Sequence, residues 1–205
     1  MSNVAEQQDY GAELSITLKA KKDIVLNIGN VVEFYFIEDI YSYMISGKLI
    51  FTDINAIWEE NQFTSGVDIE VTYGVKEDIT LSFNIYSIQR IIPTDANDPT
   101  TNLIELLFCD FGFHQLTSQK YSKSWTNMKA SDIVQHIWKH MIDPKDIEIG
   151  EIEDTEGMID FTSPWWSSAQ MIQWLSFRSR SAKHGDDGGW GYVNFTKIDP
   201  SSKKK

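Results

Sequence analysis

Three polar residues at helical spacing are the first candidates for chemistry in this sequence. His136 and His140 are four residues apart, and Asp132 precedes His136 by four. On one α-helix this spacing places all three on the same face, where a single metal ion can reach them. A zinc-protease helix also needs a glutamate directly after its first histidine, and Ile137 holds that position. We interpret the three residues as a solvated polar helix face and predict no metal site, with a metal-dependent hydrolase as an alternative.

The stretch "GDDGG" at 185–189 presents two adjacent carboxylates, which are ligands that calcium prefers. It lacks the alternating oxygen ligands and the distal glutamate of a calcium loop, so it favours a hairpin turn. The chain also has no GxSxG motif, no phosphate-cradling glycine loop and no supported Cys/His arrangement. We therefore predict no catalytic residues and no cofactor, and we do not expect an enzyme.

Adjacent tryptophans, Trp165 and Trp166, follow a proline just before a predicted helix. Exposed coplanar rings would make a stacking surface for sugars, which Trp190 would extend. Alternatively, the pair forms a hydrophobic staple that packs onto Met171 or Ile172 in the first turns of the helix. We favour the staple, and a carbohydrate-binding module is the alternative.

Two helices are predicted in the second half of the chain, and they carry these candidates. The segment "SDIVQHIWKHM" at 131–141 has its apolar residues on one stripe, and Ser131 is suited to be its N-cap. In the second helix, Ser167 and Gln170 have the spacing of a capping box. A glycine-rich turn and a last strand follow, so residues 120–205 indicate a small mixed α/β domain.

The first half of the chain shows the two-residue period of half-buried β-strands. Leu14, Ile16 and Leu18 alternate with polar residues, and "VEFYF", "VDIEVTY", "ITLSFNI" and "NLIELLF" repeat the pattern. In "VEFYF" it places Val32 on the buried side. At least six strands within residues 13–111 predict an antiparallel barrel or sandwich. The polar segment 93–102, rich in turn-forming residues, is predicted to be a surface loop.

Composition narrows the possible functions. Hydrophobic residues make up 41% of the 205 residues and aromatic residues 13%, which is enough apolar bulk for a folded core. The net charge of −12 disfavours direct nucleic-acid binding, because phosphates are repelled unless the basic residues gather on one surface. A single cysteine, Cys109, excludes an intramolecular disulfide, and we expect folding in the cytoplasm. The polar N-terminus is not typical of a signal peptide, and no apolar run is long enough for a membrane span.

Two segments of the chain resemble the baseplate hub proteins of contractile-tailed bacteriophages. The first is "FTSPWWSSAQMIQWLSFRSRSAKHGDDGGWGYVNF", in which a strand, a helix with a Trp-Leu pair and an aromatic strand follow one another. The second, "NLIELLFCDFGFHQLTSQKYSKSWTNMKASDIVQHIWKHMI", matches a strand, a linking segment and a helix that starts with Ser-Asp-Ile-Val. The stretch "MISGKLIFTDIN" fits the first domain of these hubs. The resemblance extends to the spike hubs of type VI secretion systems.

The resemblance implies an α+β chain: an antiparallel, tube-like β-barrel domain at 10–119, then the small α/β domain with two helices at 120–205. It also implies a structural component of the virion, made in the host cytoplasm and built into the tail baseplate. Such hubs assemble as trimers whose ring links the tail tube to the central spike, beside the baseplate wedge proteins. DNA would be only a cargo passing through the lumen, for which an acidic wall is suited. No membrane insertion is expected.

The chain departs from the hub pattern in its length. Family members continue into a second tube-like domain, whereas this sequence ends at residue 205 with "SSKKK". We expect either a shortened or split hub, or a fragment of a longer one.

Overall fold

The structure is a computed structural model that describes residues 13–20, 22–53, 66–74, 78–95, 98–110, 112–142, 148–184 and 191–198. Its contacts divide the chain into two compact units. The first contains Lys48–Phe108 and the chain before Tyr35, and the second contains Tyr35–Gly47 and Cys109–Asp199. No helix within the described ranges has both the length and the apolar character that crossing a bilayer requires.

One mostly antiparallel sheet dominates the first half of the chain and curls into a half-barrel. Its described strands follow the order β2-β1-β5-β6-β7-β4-β3. Because β2 and β3 are consecutive in the chain yet occupy opposite ends of this order, the short connection between them joins the two ends of the sheet. The strands are β1 (Glu13–Lys19), β2 (Asp23–Leu26), β3 (Val31–Ile37), β4 (Ser46–Asp53), β5 (Asp68–Gly74), β6 (Ile79–Asp95) and β7 (Asp98–Cys109).

Two rows of buried apolar side chains cross β1, β5 and β6 and form the centre of the first unit's core. The register of these antiparallel strands brings every second residue of each strand opposite its counterpart on the next. The alternation read from the sequence therefore becomes a continuous apolar face. The two rows are Ile16, Val71, Leu81 and Leu18, Ile69, Phe83, all of which are buried.

Two expectations for these strands are wrong. Val32 was expected to face the core, but its side chain is 60% exposed, because β3 lies at the end of the sheet order and pairs with β4 alone among the described strands. The predicted loop at 93–102 is mostly strand, since β6 continues to Asp95 and β7 begins at Asp98. Pairing within the sheet overrides the local turn preference of these residues.

The second unit combines helices with two small two-stranded sheets, which confirms the α+β class. A separate apolar cluster forms its core, and the most buried members come from the second and third helices. Its elements are α1 (Phe113–Ser118), β8 (Lys120–Tyr121), β9 (Ser124–Met128), α2 (Ala130–His140), β10 (Ile159–Thr162), β11 (Trp166–Ser167) and α3 (Ser168–Arg178).

The predicted N-cap of α2 is wrong. The helix begins at Ala130, and the residue at its N-cap, Lys129, makes no side-chain capping bond. Ser131 lies in the first turn and exchanges hydrogen bonds with Thr155: its N–H donates to Thr155 Oγ1 at 3.1 Å, and the N–H of Thr155 donates to Ser131 Oγ at 3.3 Å. The Ser131 hydroxyl, which the local pattern predicts to cap the helix, therefore bonds to the buried Thr155, 24 positions along the chain.

The capping box of α3 is confirmed. Ser167 is the N-cap, and its Oγ accepts the N–H of Gln170 at 3.3 Å. The Gln170 side chain accepts the N–H of Ser167 at 2.9 Å in return. Two backbone donors at the start of α3 are thus satisfied within four residues, which is why the sequence alone could locate this start.

Candidate functional site

The two adjacent tryptophans have different environments. Trp166 is half-buried, with its ring centre 6.3 Å from that of Phe161 and 6.2 Å from that of Trp174. It packs against the core cluster that contains both Met171 and Ile172, so the structural interpretation holds for Trp166. Trp165 is 65% exposed. The pair therefore does not form one coplanar stacking surface.

The backbone at Trp165 separates the two rings. Its φ angle is 62°, in the left-handed region, which costs a residue with a Cβ about 1–2 kcal/mol. Trp166 then enters β11 in extended conformation, so the two indoles leave the chain in different directions. Strain of this kind concentrates at functional positions, and here it holds a large apolar ring in solvent.

Trp125, Phe161 and Trp174 form an aromatic stack. The ring centres of Trp125 and Phe161 are 5.6 Å apart with planes 20° apart, and those of Phe161 and Trp174 are 5.0 Å apart with planes 27° apart. A cation faces each end ring: Lys123 Nζ is 5.5 Å from the Trp125 ring centre, and the Arg178 guanidinium is 4.8 Å from that of Trp174. Such contacts are attractive because the face of an aromatic ring is negative.

Pairing between short strands positions the stack. Phe161 of β10 lies opposite Trp125 of β9, and Trp166 of β11 lies opposite Tyr121 of β8. Trp174 comes from α3, whose start the capping box fixes. The stack could not be predicted from the sequence, because its members are separated by 36 and 13 positions and no local period links them.

The two candidate histidines lie together on α2, but they do not form a metal site with Asp132. Their ring centres are 4.6 Å apart, and Lys123 Nζ lies 2.6 Å from Nε2 of His136. Burial, the Lys123 charge and His140 together lower the pKa of His136 below 6.5. Within the described ranges, no three His, Cys, Asp or Glu side chains come together in a group that could hold a metal ion.

Two further candidates cannot be placed. The "GDDGG" segment at 185–189 and Trp190 both lie outside the described residues. Of the three tryptophans considered for sugar stacking, the structure thus places one in solvent and one against the core cluster.

Exposed apolar side chains also occur at both ends of the curled sheet. Val25 on β2 is 67% exposed, and Val32 lies exposed on β3. Strands at the end of a sheet are the natural place for a second chain to pair, and large apolar side chains there mark contact surfaces. Val25 lies opposite Thr17 on the polar side of the sheet, and that side also carries ion pairs, such as Lys19 with Asp23 at 2.9 Å and with Glu70 at 3.0 Å.

Comparison of the sequence with known families and proteins gives no match: no family model and no curated protein matches the chain. Comparison of the structure with solved structures does give matches. The 43 kDa tail protein of prophage MuSo2 from Shewanella oneidensis is similar over 91% of this chain and 54% of its own, with 12% identity and a TM-score of 0.55. The tail protein from Neisseria meningitidis MC58 is similar over 92% of this chain and 52% of its own, with 12% identity and a TM-score of 0.51.

A chain of the Francisella PdpA-VgrG complex, in its half-lidded form, is also similar. The match covers 98% of this chain and 33% of that one, with 17% identity and a TM-score of 0.51. The present chain thus spans about half of the length of the two tail proteins. At the level of the fold, the resemblance read from the sequence is confirmed: this chain shares the fold of phage tail proteins and of a chain of a VgrG complex.

Proposed function

We propose that the protein is a structural component of a phage tail, namely the baseplate hub of a contractile tail. In this proposal, three copies form a ring that links the tail tube to the central spike, beside the wedge proteins, and DNA passes through it during genome ejection. The observation that carries the proposal is the fold shared with two phage tail proteins over more than nine-tenths of this chain. The chain would be made in the host cytoplasm and would act in the virion without catalysing a reaction.

The ends of the curled sheet supply the surfaces that such a ring requires. Val25 and Val32 are exposed on the strands at the two ends of the sheet order. Because the short connection between β2 and β3 holds these two ends close together, a neighbouring copy that packs there would cover both valines. Contact between this surface and a different surface of the next copy closes into a ring when the rotation between copies permits it.

The polar side of the sheet is suited to a wall along which DNA slides. Asp68 and Glu70 lie on β5, and Thr72 and Thr80 share a hydrogen bond of 3.0 Å next to them. The single Lys19 beside them is paired with two carboxylates, so this surface offers phosphate no unpaired cation at that position. Because each neutralised phosphate adds salt-dependent attraction, a surface of hydroxyls and carboxylates lets DNA pass without binding it.

The ring is tested on the purified chain, with and without its natural tail partners, by native mass spectrometry and electron microscopy. We expect a closed trimer with an acidic inner wall. Only monomers in the presence of the partners, or a basic inner wall, would contradict the proposal.

Variants of the sheet ends sharpen this test. Val25→Lys and Val32→Lys place a charge on exposed strand positions, so each should leave folding intact and abolish ring formation. Gln89→Lys is the matched control, because Gln89 is exposed on β6 inside the sheet order. Rings formed equally well by all three variants would show that the sheet ends are not the contact surface.

The carbohydrate-binding alternative now depends on Trp165, the one described member of its set that is exposed. Tryptophan fluorescence with a panel of glycans tests it, and saturable quenching that is lost in Trp165→Ala would favour it over the hub.

A further inference from the structure

A cavity of about 540 Å³ opens within the second unit. Its walls come from α2, from α3 and the residues that follow it as far as His184, and from the segments 151–155 and 191–194. Cavities of roughly 300–1,000 Å³ are the usual size for bound ligands. The space is therefore large enough for a side chain together with part of the backbone that presents it.

The cavity has an apolar side and an acidic side. The half-buried Ile152 contributes aliphatic surface, with the buried Val134 and Leu175 next to it, whereas the exposed Glu151 and Glu153 contribute carboxylates. One oxygen of Glu153 accepts the hydroxyl of Ser181, and an ionised carboxylate retains further acceptor sites after one such bond. This combination suits a ligand with an aliphatic stem and a cationic head.

The hydroxyls around the cavity are held in place by protein groups. Ser131 and Thr155 bond to each other, and the Ser176 hydroxyl donates to the carbonyl of Ile172 at 2.8 Å while accepting from Asn194. Such groups keep a fixed orientation, so they form a preorganised polar wall.

The electrostatic environment at the acidic side also favours a cation. His184 is the one basic residue that lines the cavity among the described residues. The Tyr192 hydroxyl donates to the carbonyl of Asp154 at 3.0 Å, and burial together with Glu153 and Asp154 raises the pKa of Tyr192. Lys129 pairs with Asp154 at 3.0 Å, and Lys129 does not line the cavity.

We propose that this cavity binds a basic side chain, arginine or lysine, presented by an extended segment of a partner protein. The methylene stem lies against Val134, Ile152 and Leu175, and the charged head bonds to Glu151 and Glu153. The net charge of −12 on the chain favours a basic partner segment. The inference concerns the second unit alone and does not depend on the ring proposed above.

The probes are small molecules followed by NMR on the isotope-labelled full chain. We expect two probes, the tripeptide Gly-Arg-Gly and Nα-acetyl-lysine amide, to shift the NMR signals of cavity residues saturably at millimolar concentration. Gly-citrulline-Gly, which keeps the shape of arginine without its charge, should not. Spermidine serves as a free cation without a peptide backbone. Tighter binding of spermidine than of the tripeptide would overturn the assignment to a protein segment, and equal binding of the citrulline peptide would overturn the cationic site.

Charge-removing variants localise the site. Glu153→Gln keeps the oxygen that accepts Ser181, and we expect it to weaken binding of Gly-Arg-Gly by about tenfold, as does Glu151→Gln. Glu148→Gln removes the same charge at an exposed position that does not line the cavity, and it should leave binding within about twofold. Thermal unfolding checks that each variant is folded. If Glu153→Gln does not fold, the binding measured for Glu151→Gln tests the proposal. Equal weakening by the Glu148 variant, or no weakening by the cavity variants, would overturn the proposal.

Discussion

The apolar face of the curled sheet in the first unit and the centre of the aromatic stack in the second are both buried, but they are encoded differently. In the sheet, Ile16, Val71 and Leu81 lie side by side because apolar residues occupy every second position of each strand and the strands pair in register. In the stack, Trp125 and Phe161 meet because two short strands pair across 36 positions. Burial that follows a local period can be read from one strand at a time, whereas burial that depends on pairing at a distance requires the fold itself.

The largest expected effect is in the sheet. Phe83 is fully buried, and its ring centre lies 5.0 Å from that of Phe108. Phe83→Ala leaves a cavity between strands that cannot collapse, so we expect the free energy of unfolding to fall by about 3–5 kcal/mol. Urea denaturation measures it. Val25→Ala, at an exposed position of the same sheet, should stay within about 0.5 kcal/mol of the parent. Similar losses for both variants would show that the alternation does not define the core.

The stack is tested by a substitution that keeps apolar volume but removes the ring. Phe161→Leu loses two stacked contacts, each worth about 0.5–1.5 kcal/mol, so we expect a loss of about 1–3 kcal/mol in urea denaturation. Phe177→Leu is the matched control, because Phe177 is 71% exposed on α3. An unchanged stability of Phe161→Leu would mean that the rings contribute only their apolar bulk.

The fold of the first unit could be predicted further than that of the second. Alternation identified the core face of β1, β5 and β6, but it failed for Val32, whose exposure depends on the place of β3 in the sheet order. It also could not show that the polar stretch at 93–102 pairs as strand, since pairing partners are not visible in a local segment.

In the second unit, the sequence was informative only where both partners of an interaction are close in the chain. Ser167 and Gln170 are three positions apart and form the predicted capping box. Ser131 has the same local suitability, yet Thr155, 24 positions away, bonds to it instead. The cavity is hidden for the same reason, because its walls come from four separate segments. Trp165 and Trp166 are adjacent in the sequence and suggest a pair of rings, but the left-handed backbone at Trp165 directs the two rings apart.

The left-handed backbone at Trp165 leads to a smaller expected effect on stability. Glycine adopts the left-handed region without the penalty of a Cβ, and alanine does not. We therefore expect Trp165→Gly to have a free energy of unfolding about 1 kcal/mol higher than that of Trp165→Ala, although both remove the same exposed ring. Thermal and urea unfolding compare the two variants. A lower stability of the glycine variant would mean that residue 165 is extended in solution.

The smallest effect links the end of the stack to pH. Burial first, then Lys123 and His140, lower the pKa of His136 below its usual 6.5. The unfolded chain therefore takes up this proton first as the pH falls, so His136 makes the free energy of unfolding decrease below about pH 6.5. The decrease stops once the pH is below the folded pKa, where His136 is protonated in both states. NMR titration should place the pKa of His136 below 6.5. Lys123→Gln removes one of the two charges and should raise the pKa of His136 towards 6.5 while weakening the contact at the Trp125 end of the stack. An unchanged pKa in that variant would leave burial and His140 as the causes and would show that Lys123 does not couple the histidine to the stack.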